Sequence, residues 1–379
     1  MILRLVSKVG DGGYSQVFLA REVEVDGSLG ARMLAVKKVL CQTNAQLDMA
    51  KSEMAAMRRL KGKEGCLELL AGTIVPSSGE DLKVAKDVAL FVFPYYPEGT
   101  LVDFLARRAK AEGAGPRQPM QARLTPLEAA CVVLQVARAV AEMHALDQPL
   151  THRDIKPLNV LVRAPPGARG ATDSAAPAAA STSSWRHAAP RSPAPMEREM
   201  RPLRGGGGAP AADPRGGPAS AEAQLARASG LTAVLMDFGS VGAREETIAT
   251  PQEARLLQDH AAAHSTAPYR APELFEPPCI GLPVTMDVAS ADVWSLGCLI
   301  FFCLTGESPF EHSLREGGGS IALAVLAGHV RWPEECGSDA ASAELQNLAE
   351  KCLVLDRDAR PSAAQVASEA ASIIQLVMS

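Results

Sequence analysis

A short stretch near the middle of the sequence, LTHRDIKPLNVLV at residues 150–162, places a His, an Arg, an Asp, a Lys and an Asn between apolar runs. Asp154 can accept a proton from a hydroxyl group, Lys156 can neutralise charge on a phosphoryl group, and Asn159 offers an amide oxygen to a hard cation. Since polar groups are costly to bury, a turn with only a structural role would seldom combine them. The stretch therefore predicts a catalytic loop between a helix and a strand.

A second acidic residue, Asp237, follows an apolar run in LTAVLMDFGS. A carboxylate at the end of a strand, followed closely by a glycine, suits a metal ligand on a movable loop. The Asp-Phe-Gly tripeptide taken alone is also common by chance. Asp237 is therefore a candidate ligand whose interpretation depends on the other motifs.

Two further charges are candidates in the first part of the chain. Lys37 lies in LAVKKV beside apolar neighbours, and Lys38 should point to the opposite face of the same strand. Glu53, on the next predicted helix, could be the partner of Lys37. Taken alone, each of these charges is better explained as a solvated surface group.

Glycines at positions 10, 12 and 13 lie between two strand-like runs in VGDGGYSQVFLA. The backbone amides of such a turn can approach phosphates closely, but an ordinary hairpin turn explains the glycines about as well. A strand follows the turn, which argues against a dinucleotide-binding fingerprint, and the Gly-Lys-Ser/Thr ending of a P-loop is missing.

The elements that must position these residues follow from hydrophobic periodicity. Val-rich runs bounded by turns predict strands at RLVSKVG, SQVFLA, RMLAVKKVL and VALFVFPYY, and AQLDMAKSEMAAMRRLKG predicts a helix. Thr125, Pro126 and Glu128 indicate the start of a long helix with a capping box. Further helices are expected near residues 290–304, 320–327, 342–353 and 362–376. This order predicts a small β-rich lobe with one helix, followed by a larger helical lobe.

Composition limits the class of protein. The 379 residues are 47% hydrophobic and 21% charged, and the net charge of -5 argues against a nucleic-acid platform. The 8 cysteines form no C-x-x-C pair and are expected to be reduced, buried thiols. The first residues contain no signal peptide, and the most apolar stretch, residues 292–306, is too short to span a bilayer and is expected to be a buried helix.

Residues 163–230 differ in kind from the rest of the sequence. They are rich in Ala, Pro, Gly, Ser and Arg and contain no Val, Ile, Phe or Tyr, so they cannot offset the entropy of an ordered chain. We expect a disordered insertion, and its nine Arg against five acidic residues leave open a polybasic docking loop or a solvated expansion without function.

Taken together, the order and spacing of these motifs resemble a eukaryotic protein kinase, from Gly10 to Arg360. Closer details resemble the Numb-associated kinase family: in GDGGYSQV, Ser15 stands where most kinases have a third glycine, and LMDFGS, EARLLQDHAAAHSTAPYRAPELF and ADVWSLGCLIFFCLTGESPF are also similar. The resemblance implies an α+β, bilobal protein-kinase fold. Its expected parts are an N-lobe at residues 1–93, a hinge and first C-lobe part at 94–162, the insertion at 163–230, and the rest of the C-lobe at 231–379.

The resemblance also implies the residues that bind ATP. Lys37 would hold the α- and β-phosphates, with Glu53 keeping it in place. The remaining ATP-binding residues would be the phosphate-covering Gly10, Asp11, Gly12, Gly13, Tyr14 and Ser15, the adenine-contacting Val17 and Ala35, the gatekeeper Phe93, and the hinge residues Pro94, Tyr95 and Tyr96.

Catalysis is implied for the central motifs. Asp154 would orient and deprotonate the substrate hydroxyl, Lys156 would lie beside the γ-phosphate, and Asn159 and Asp237 would ligate Mg²⁺, with Mn²⁺ as the alternative ion. Thr266 would hydrogen-bond near Asp154, as in serine/threonine kinases.

Activity, partners and location follow from the same resemblance. The expected activity is transfer of the ATP γ-phosphate to serine or threonine hydroxyls of protein substrates, with autophosphorylation. A pseudokinase scaffold and a small-molecule phosphotransferase are the alternatives, although Lys37, Asp154, Asn159 and Asp237 are all present and Ala271-Pro272-Glu273 resembles the anchor of a peptide site. The expected location is cytoplasmic, peripheral to Golgi or vesicle membranes, yet residue 2 is Ile, so the sequence carries no myristoylation signal.

Overall fold

The computed structural model describes residues 1–11, 15–78, 81, 84–111, 122–164, 228–334, 336–337 and 339–379. These residues form two compact units. The smaller unit comprises Met1–Lys61 and Leu67–Pro97, and the larger unit comprises Gly62–Cys66 together with residues 98–164 and 228–379.

The smaller unit is an antiparallel sheet with one helix. Its strands are β1 (Leu3–Asp11), β2 (Ser15–Val23), β3 (Leu29–Cys41), β4 (Ala71–Pro76) and β5 (Asp87–Pro94), in the order β1-β2-β3-β5-β4. Helix α1 (Asn44–Arg59) begins with a capping box in which the side chains and backbone of Thr43 and Gln46 bond each other reciprocally. The predicted helix and four predicted strands are confirmed; β4 was not predicted.

The two faces of this sheet have different contents because side chains alternate along each strand. One face carries a small apolar cluster that includes Ala20, Leu34, Val36 and Val92. The other face carries Lys37, whose neighbours across the ladder are Val17 on β2 and Phe91 on β5. The strand register therefore separates an apolar packing face from a face that presents a charge.

The larger unit is mainly helical, as predicted. Its helices are α2 (Leu101–Ala111), α3 (Pro126–His144), α4 (Pro251–His264), α5 (Pro272–Phe275), α6 (Ala289–Thr305), α7 (Pro309–Gly317), α8 (Ile321–Ala327), α9 (Ala340–Cys352) and α10 (Ala363–Met378). Its short strands are β6 (Leu150–Thr151), β7 (Val160–Arg163), β8 (Thr232–Leu235), β9 (Gly242–Ala243), β10 (Glu245–Ile248) and β11 (Val284–Asp287), which pair as β6-β9, β7-β8 and β10-β11. The four helices expected after residue 289 are confirmed as α6, α8, α9 and α10.

The core of the larger unit is built around α3 and α6. The capping box predicted for α3 is confirmed, with Thr125 and Glu128 bonding each other's backbone. Almost every residue of α6 is buried, and Trp294 stacks on Phe310 with ring centroids 5.5 Å apart. Within the described residues, no single helix is long and apolar enough to cross a membrane; α6 and the first part of α7, bent by 61° at their junction, reach that length only together.

Two other sequence predictions can be compared with the structure. All 8 cysteines are free thiols as predicted, and six are buried, whereas Cys279 is exposed and Cys336 is half-buried. The predicted disordered insertion at residues 163–230 falls mostly on residues 165–227, which lie outside the described residues. At its edges Arg163 is the last residue of β7 and residues 228–230 form a turn, so the insertion as predicted took in a strand residue.

Candidate active site

Lys37 and Glu53 form the charged part of the site in the smaller unit. Nζ of Lys37 lies 2.7 Å from Oε1 of Glu53, and the two side chains are only 15% and 9% exposed. Strand β3 supplies the lysine and α1 supplies the glutamate, while Lys38 pairs instead with Asp81 at 2.7 Å. The predicted partnership of Lys37 with Glu53, and the predicted divergence of Lys38, are both confirmed.

The apolar candidates of this unit share the face of Lys37. Val17 lies directly opposite Lys37, and Ala35 lies directly opposite Phe93 in the ladder. Since Ala35 and Lys37 are two residues apart on β3, all four side chains project from the same face. Phe93 is buried and stacks on Phe91 with ring centroids 6.2 Å apart. A charge beside a flat apolar surface is suited to a ligand with an anionic end and an aromatic end.

The ends of the strands hold the other candidates of this unit. Gly10 and Asp11 end β1 opposite Val17 and Gln16, and Ser15 begins β2. Gly12, Gly13 and Tyr14 lie outside the described residues. Pro94 ends β5, and Tyr95 and Tyr96 follow it with half-buried side chains.

Asp154 is the centre of the site in the larger unit. Its Oδ1 accepts hydrogen bonds from the backbone N–H and the hydroxyl of Thr266, at 2.9 and 2.8 Å. Its Oδ2 accepts from Nζ of Lys156 at 2.7 Å and from Nδ2 of Asn159 at 3.1 Å. Lys156 also donates to the Thr266 hydroxyl at 2.6 Å, which closes a ring of contacts. The carboxylate is thus fixed in orientation, and the predicted bond between Thr266 and Asp154 is confirmed.

Asn159 and Asp237 are brought near each other by the β7-β8 pair. The backbone oxygen of Asn159 accepts a bond from the N–H of Met236, the residue before Asp237, at 2.8 Å. The amide nitrogen of Asn159 donates to the backbone oxygen of Asp154 at 2.7 Å, so it is the amide oxygen that could take a cation. An amide oxygen and a carboxylate are hard donors, which fits Mg²⁺ or Mn²⁺. Within the described part of the chain, no three His, Cys, Asp or Glu side chains converge on a metal site.

The catalytic loop is hydrogen-bonded to a buried acid, Asp292 of α6. Its side chain is fully buried and accepts bonds from the backbone N–H groups of His152 and Arg153, each at 2.8 Å. Nε2 of His144 at the end of α3 lies 2.9 Å from the same carboxylate. Burial alone would raise the pKa of Asp292, but the hydrogen bonds and charge of the neighbouring histidine, with the Arg153 N–H, hold that pKa below its usual value.

His152 links this support to Asp237. Its Nδ1 accepts the N–H of Asp154 at 3.3 Å, and its Nε2 lies 3.1 Å from the backbone oxygen of Met236. A neutral imidazole with its proton on Nε2 satisfies both bonds. Among the described residues other than glycine, Arg153 and Asp237 have positive φ angles, 68° and 66°. Such conformations are costly and persist where surrounding contacts impose them, as these contacts do.

The segment after Asp237 is tied back to the catalytic loop by Arg153. Its guanidinium bonds Oε1 of Glu246 and the backbone oxygen of Ala243, each at 2.6 Å, and Thr151 at 3.1 Å. The neighbouring Arg244 forms a two-pronged ion pair with Asp287 of β11. The segment between Asp237 and Glu273 is therefore held by ion pairs and hydrogen bonds of the arginines Arg153 and Arg244.

The far end of this segment is anchored by a buried ion pair. Arg360 donates from Nη1 and Nη2 to the two carboxylate oxygens of Glu273, at 2.7 and 2.9 Å. The guanidinium also lies over the ring of Trp294, 4.9 Å from its centroid. This pair fixes the Ala271-Pro272-Glu273 motif at the end of the segment.

Three residues that hold the catalytic loop or its neighbouring segment in place were not predicted from the sequence: Asp292, His144 and Glu246. For Asp292 a signal was present, because a charged residue opens the most apolar stretch of the chain and must find partners when that stretch is buried. For His144 and Glu246 no local signal exists, since their partners Asp292 and Arg153 lie 148 and 93 positions away.

Comparison with known proteins agrees with this arrangement. The protein kinase domain family matches residues 3–168 and 229–370. The chain is 27% identical over 370 residues to a probable serine/threonine-protein kinase of Dictyostelium discoideum, covering 97% of this chain and 92% of the relative. It is 26% identical over 356 residues to serine/threonine-protein kinase 16 of Mus musculus, covering 94% of this chain and 85% of the relative. The chain belongs to the protein kinase family and is a serine/threonine protein kinase.

Proposed function

We propose that the chain is a catalytically active kinase that transfers the γ-phosphate of ATP to serine or threonine hydroxyls of proteins. The observation that carries this proposal is the ring of contacts around Asp154. One carboxylate accepts hydrogen bonds from Lys156, Asn159 and Thr266. A scaffold that only binds a partner has no need for a buried, oriented carboxylate, because such a group costs free energy to desolvate.

Asp154 acts as the proton acceptor in this proposal. An incoming serine or threonine hydroxyl donates a hydrogen bond to the carboxylate, and its oxygen attacks the γ-phosphorus of ATP. The bond from that phosphorus to the bridging oxygen breaks, ADP leaves, and the hydroxyl proton passes to Asp154. Lys156, 2.7 Å from Asp154, supplies positive charge beside the phosphoryl group during transfer.

Nucleotide binding is assigned to the face of the sheet that carries Lys37. Lys37 binds the α- and β-phosphates while Glu53 fixes its position, and Val17, Ala35 and Phe93 offer the apolar surface for adenine. The backbone of residues 94–96 binds the adenine edge, and Gly10, Asp11 and Ser15, at the ends of β1 and β2, cover the phosphates. The support for this assignment is the shared face and the 2.7 Å ion pair.

The metal is assigned to Asn159 and Asp237. Mg²⁺, or Mn²⁺ in its place, would neutralise negative charge on the phosphates when bound. The amide of Asn159 is oriented by its bonds to Asp154, and Asp237 is oriented by the bonds that hold Met236.

Membership of the Numb-associated kinase family and autophosphorylation are part of the proposal. Helix α4, within the segment from Asp237 to Glu273, supports the family assignment because it includes EARLLQDHAAAH, the start of a stretch that is similar to that family. Thr247, which is exposed on β10, is the acceptor we expect for autophosphorylation. A cytoplasmic location, peripheral to Golgi or vesicle membranes, is proposed from the same family resemblance, and the free thiols are compatible with a reducing compartment.

The test is incubation of the purified full chain with radiolabelled ATP, Mg²⁺ or Mn²⁺, and a general protein substrate. Wild type should label both the substrate and itself, whereas Asp154→Ala and Lys37→Met should label neither. Lys38→Met is the matched control, because Lys38 projects from the opposite face, and it should retain activity. Nucleotide binding without labelling would favour a pseudokinase scaffold, and equal labelling in all variants would remove the proposed site.

A further inference from the structure

Arg270 is a buried cation in the segment that follows the Asp154-binding residue Thr266. It is only 9% exposed, and its guanidinium lies over the ring of Phe275, 4.6 Å from the centroid. Its Nε donates to the Ser265 hydroxyl at 2.7 Å, and its Nη2 donates to the Ser265 backbone oxygen at 3.0 Å. These neutral oxygens are its hydrogen-bond partners among the described residues.

The comparison with Arg360 shows what Arg270 lacks. Arg360 is 8% exposed, almost the same as Arg270, yet both of its terminal nitrogens bond the carboxylate of Glu273. Among the described residues, Arg270 has no carboxylate within ion-pair distance. Because no carboxylate of the described residues offsets the charge of this guanidinium, an anion that reaches Arg270 would be bound favourably.

The position of Arg270 indicates where such an anion comes from. Its partner Ser265 is the residue before Thr266, which bonds Asp154 through both its N–H and its hydroxyl. Burial lowers the pKa of Arg270, and the negative charge of Asp154 opposes this shift. A peptide that places its hydroxyl against Asp154 therefore brings its neighbouring side chains to the part of the chain that holds Arg270.

We propose that Arg270 selects protein substrates in which an anionic side chain stands within a few residues of the phosphorylated serine or threonine. The anion is a carboxylate or, at a site phosphorylated earlier, a phosphate. Nη1 of Arg270 makes no bond to a described residue, so the guanidinium can offer an edge to such a group without giving up Ser265. This inference rests on the proposed kinase activity and adds a substrate preference to it.

The test compares peptides that contain one serine in an otherwise neutral sequence. A single Glu is placed in turn at each of the three positions before and after the serine, with Gln at the same position as the reference. For wild type we expect kcat/KM to be about tenfold higher with Glu than with Gln at one or two positions, a typical effect of one charge-assisted contact. Arg270→Gln should bring this ratio to within about twofold of one.

Arg255→Gln is the matched control. Arg255 is an exposed arginine on α4 of the same segment, so its variant loses the same charge without touching Ser265. It should keep the wild-type ratio of Glu to Gln peptides. An equal fall of the ratio in both variants would mean that general charge attraction causes the preference, which would overturn the role of Arg270.

A more conservative variant covers the case in which Arg270→Gln does not fold. Arg270→Lys keeps the positive charge but loses the forked geometry, and we expect it to retain part of the Glu preference.

Phosphoserine in place of Glu distinguishes the two sources of the anion: a further rise in kcat/KM indicates a phosphate, and no rise indicates a carboxylate. If wild type phosphorylates Glu and Gln peptides equally at every position, the inference is wrong although the kinase activity stands. If wild type phosphorylates no peptide or protein, the proposed function itself fails.

Discussion

The two charged groups of the candidate site are held in different ways. Lys37 pairs with Glu53, and its position follows from the strand register and one helix. Asp154 is held by four hydrogen bonds from three residues and rests on a loop bonded to the fully buried Asp292. The first arrangement joins one strand to one helix, whereas the second is bonded to the core of its unit through Asp292. Substitutions should therefore separate loss of chemistry from loss of the fold.

The largest effect on the reaction is expected for Asp154→Asn. The amide keeps the shape of the carboxylate and, with its oxygen in the Oδ1 position, the two bonds from Thr266, but it cannot take the hydroxyl proton, so phosphoryl transfer should fall about 10³-fold. The free energy of unfolding should change by less than about 2 kcal/mol, since Lys156 and Asn159, which lose their bonds to Oδ2, keep the Thr266 hydroxyl and the Asp154 backbone oxygen as acceptors. Steady-state kinetics and denaturant titration measure the two quantities. Activity within tenfold of wild type would exclude Asp154 as the proton acceptor.

The largest effect on stability is expected for Asp292→Ala. Removing this carboxylate leaves the N–H groups of His152 and Arg153 and the ring of His144 without their acceptor, which should cost about 3–5 kcal/mol of unfolding free energy. Asp287→Ala is the control, because its ion pair with Arg244 is about 40% exposed and should be worth about 1 kcal/mol or less. Similar losses in the two variants, measured by denaturant titration, would contradict the assigned difference.

A smaller effect on the reaction is expected for Glu53→Gln. The amide can still accept a bond from Lys37 but has no charge, so the lysine is held less firmly and kcat/KM should fall about tenfold, equivalent to about 1.4 kcal/mol. The loss of unfolding free energy should be smaller than for Asp292→Ala, because the amide still accepts the bond from Lys37. Asp81→Asn, which weakens the corresponding pair of Lys38 on the opposite face, should change kcat/KM by less than about twofold. Equal losses in the two variants would mean that the faces of the sheet are not functionally distinct.

The smallest expected effect is the change with pH in how much Asp292 contributes to stability. Because the pKa of Asp292 is lowered in the folded state, its ionised form stabilises the fold above the ordinary Asp pKa of about 3.9, and this contribution is lost as the pH falls through the lower, folded-state value. The stability difference between wild type and Asp292→Asn should shrink as the pH falls below about 4. Denaturant titrations over this range measure it. A difference that grows towards acid would show that the shift has the opposite sign.

The smaller unit could be predicted largely from its sequence because its features are local. Turn-bounded strands and the alternation along β3 place Lys37 and Lys38 on opposite faces, and a helix follows that can supply Glu53. β4 was missed because its short apolar run, AGTIVP, gives no clear period. The contacts of the larger unit were harder to predict. Asp154 was found from its motif, but the support by Asp292 joins residues more than 130 positions apart, and no local pattern records such a contact.

At Gly242, the bonded guanidinium of Arg153 leaves no space for a side chain. A Cβ atom built at this position would overlap Cζ of Arg153. Elsewhere the end of an arginine could swing aside, but here Glu246, Ala243 and Thr151 hold it. Even a methyl group at position 242 would have to expel the guanidinium from three bonds. Of the two residues of β9, Gly242 should therefore tolerate replacement least. In a mutational scan of activity, replacing Gly242 should be as harmful as replacing a catalytic acid.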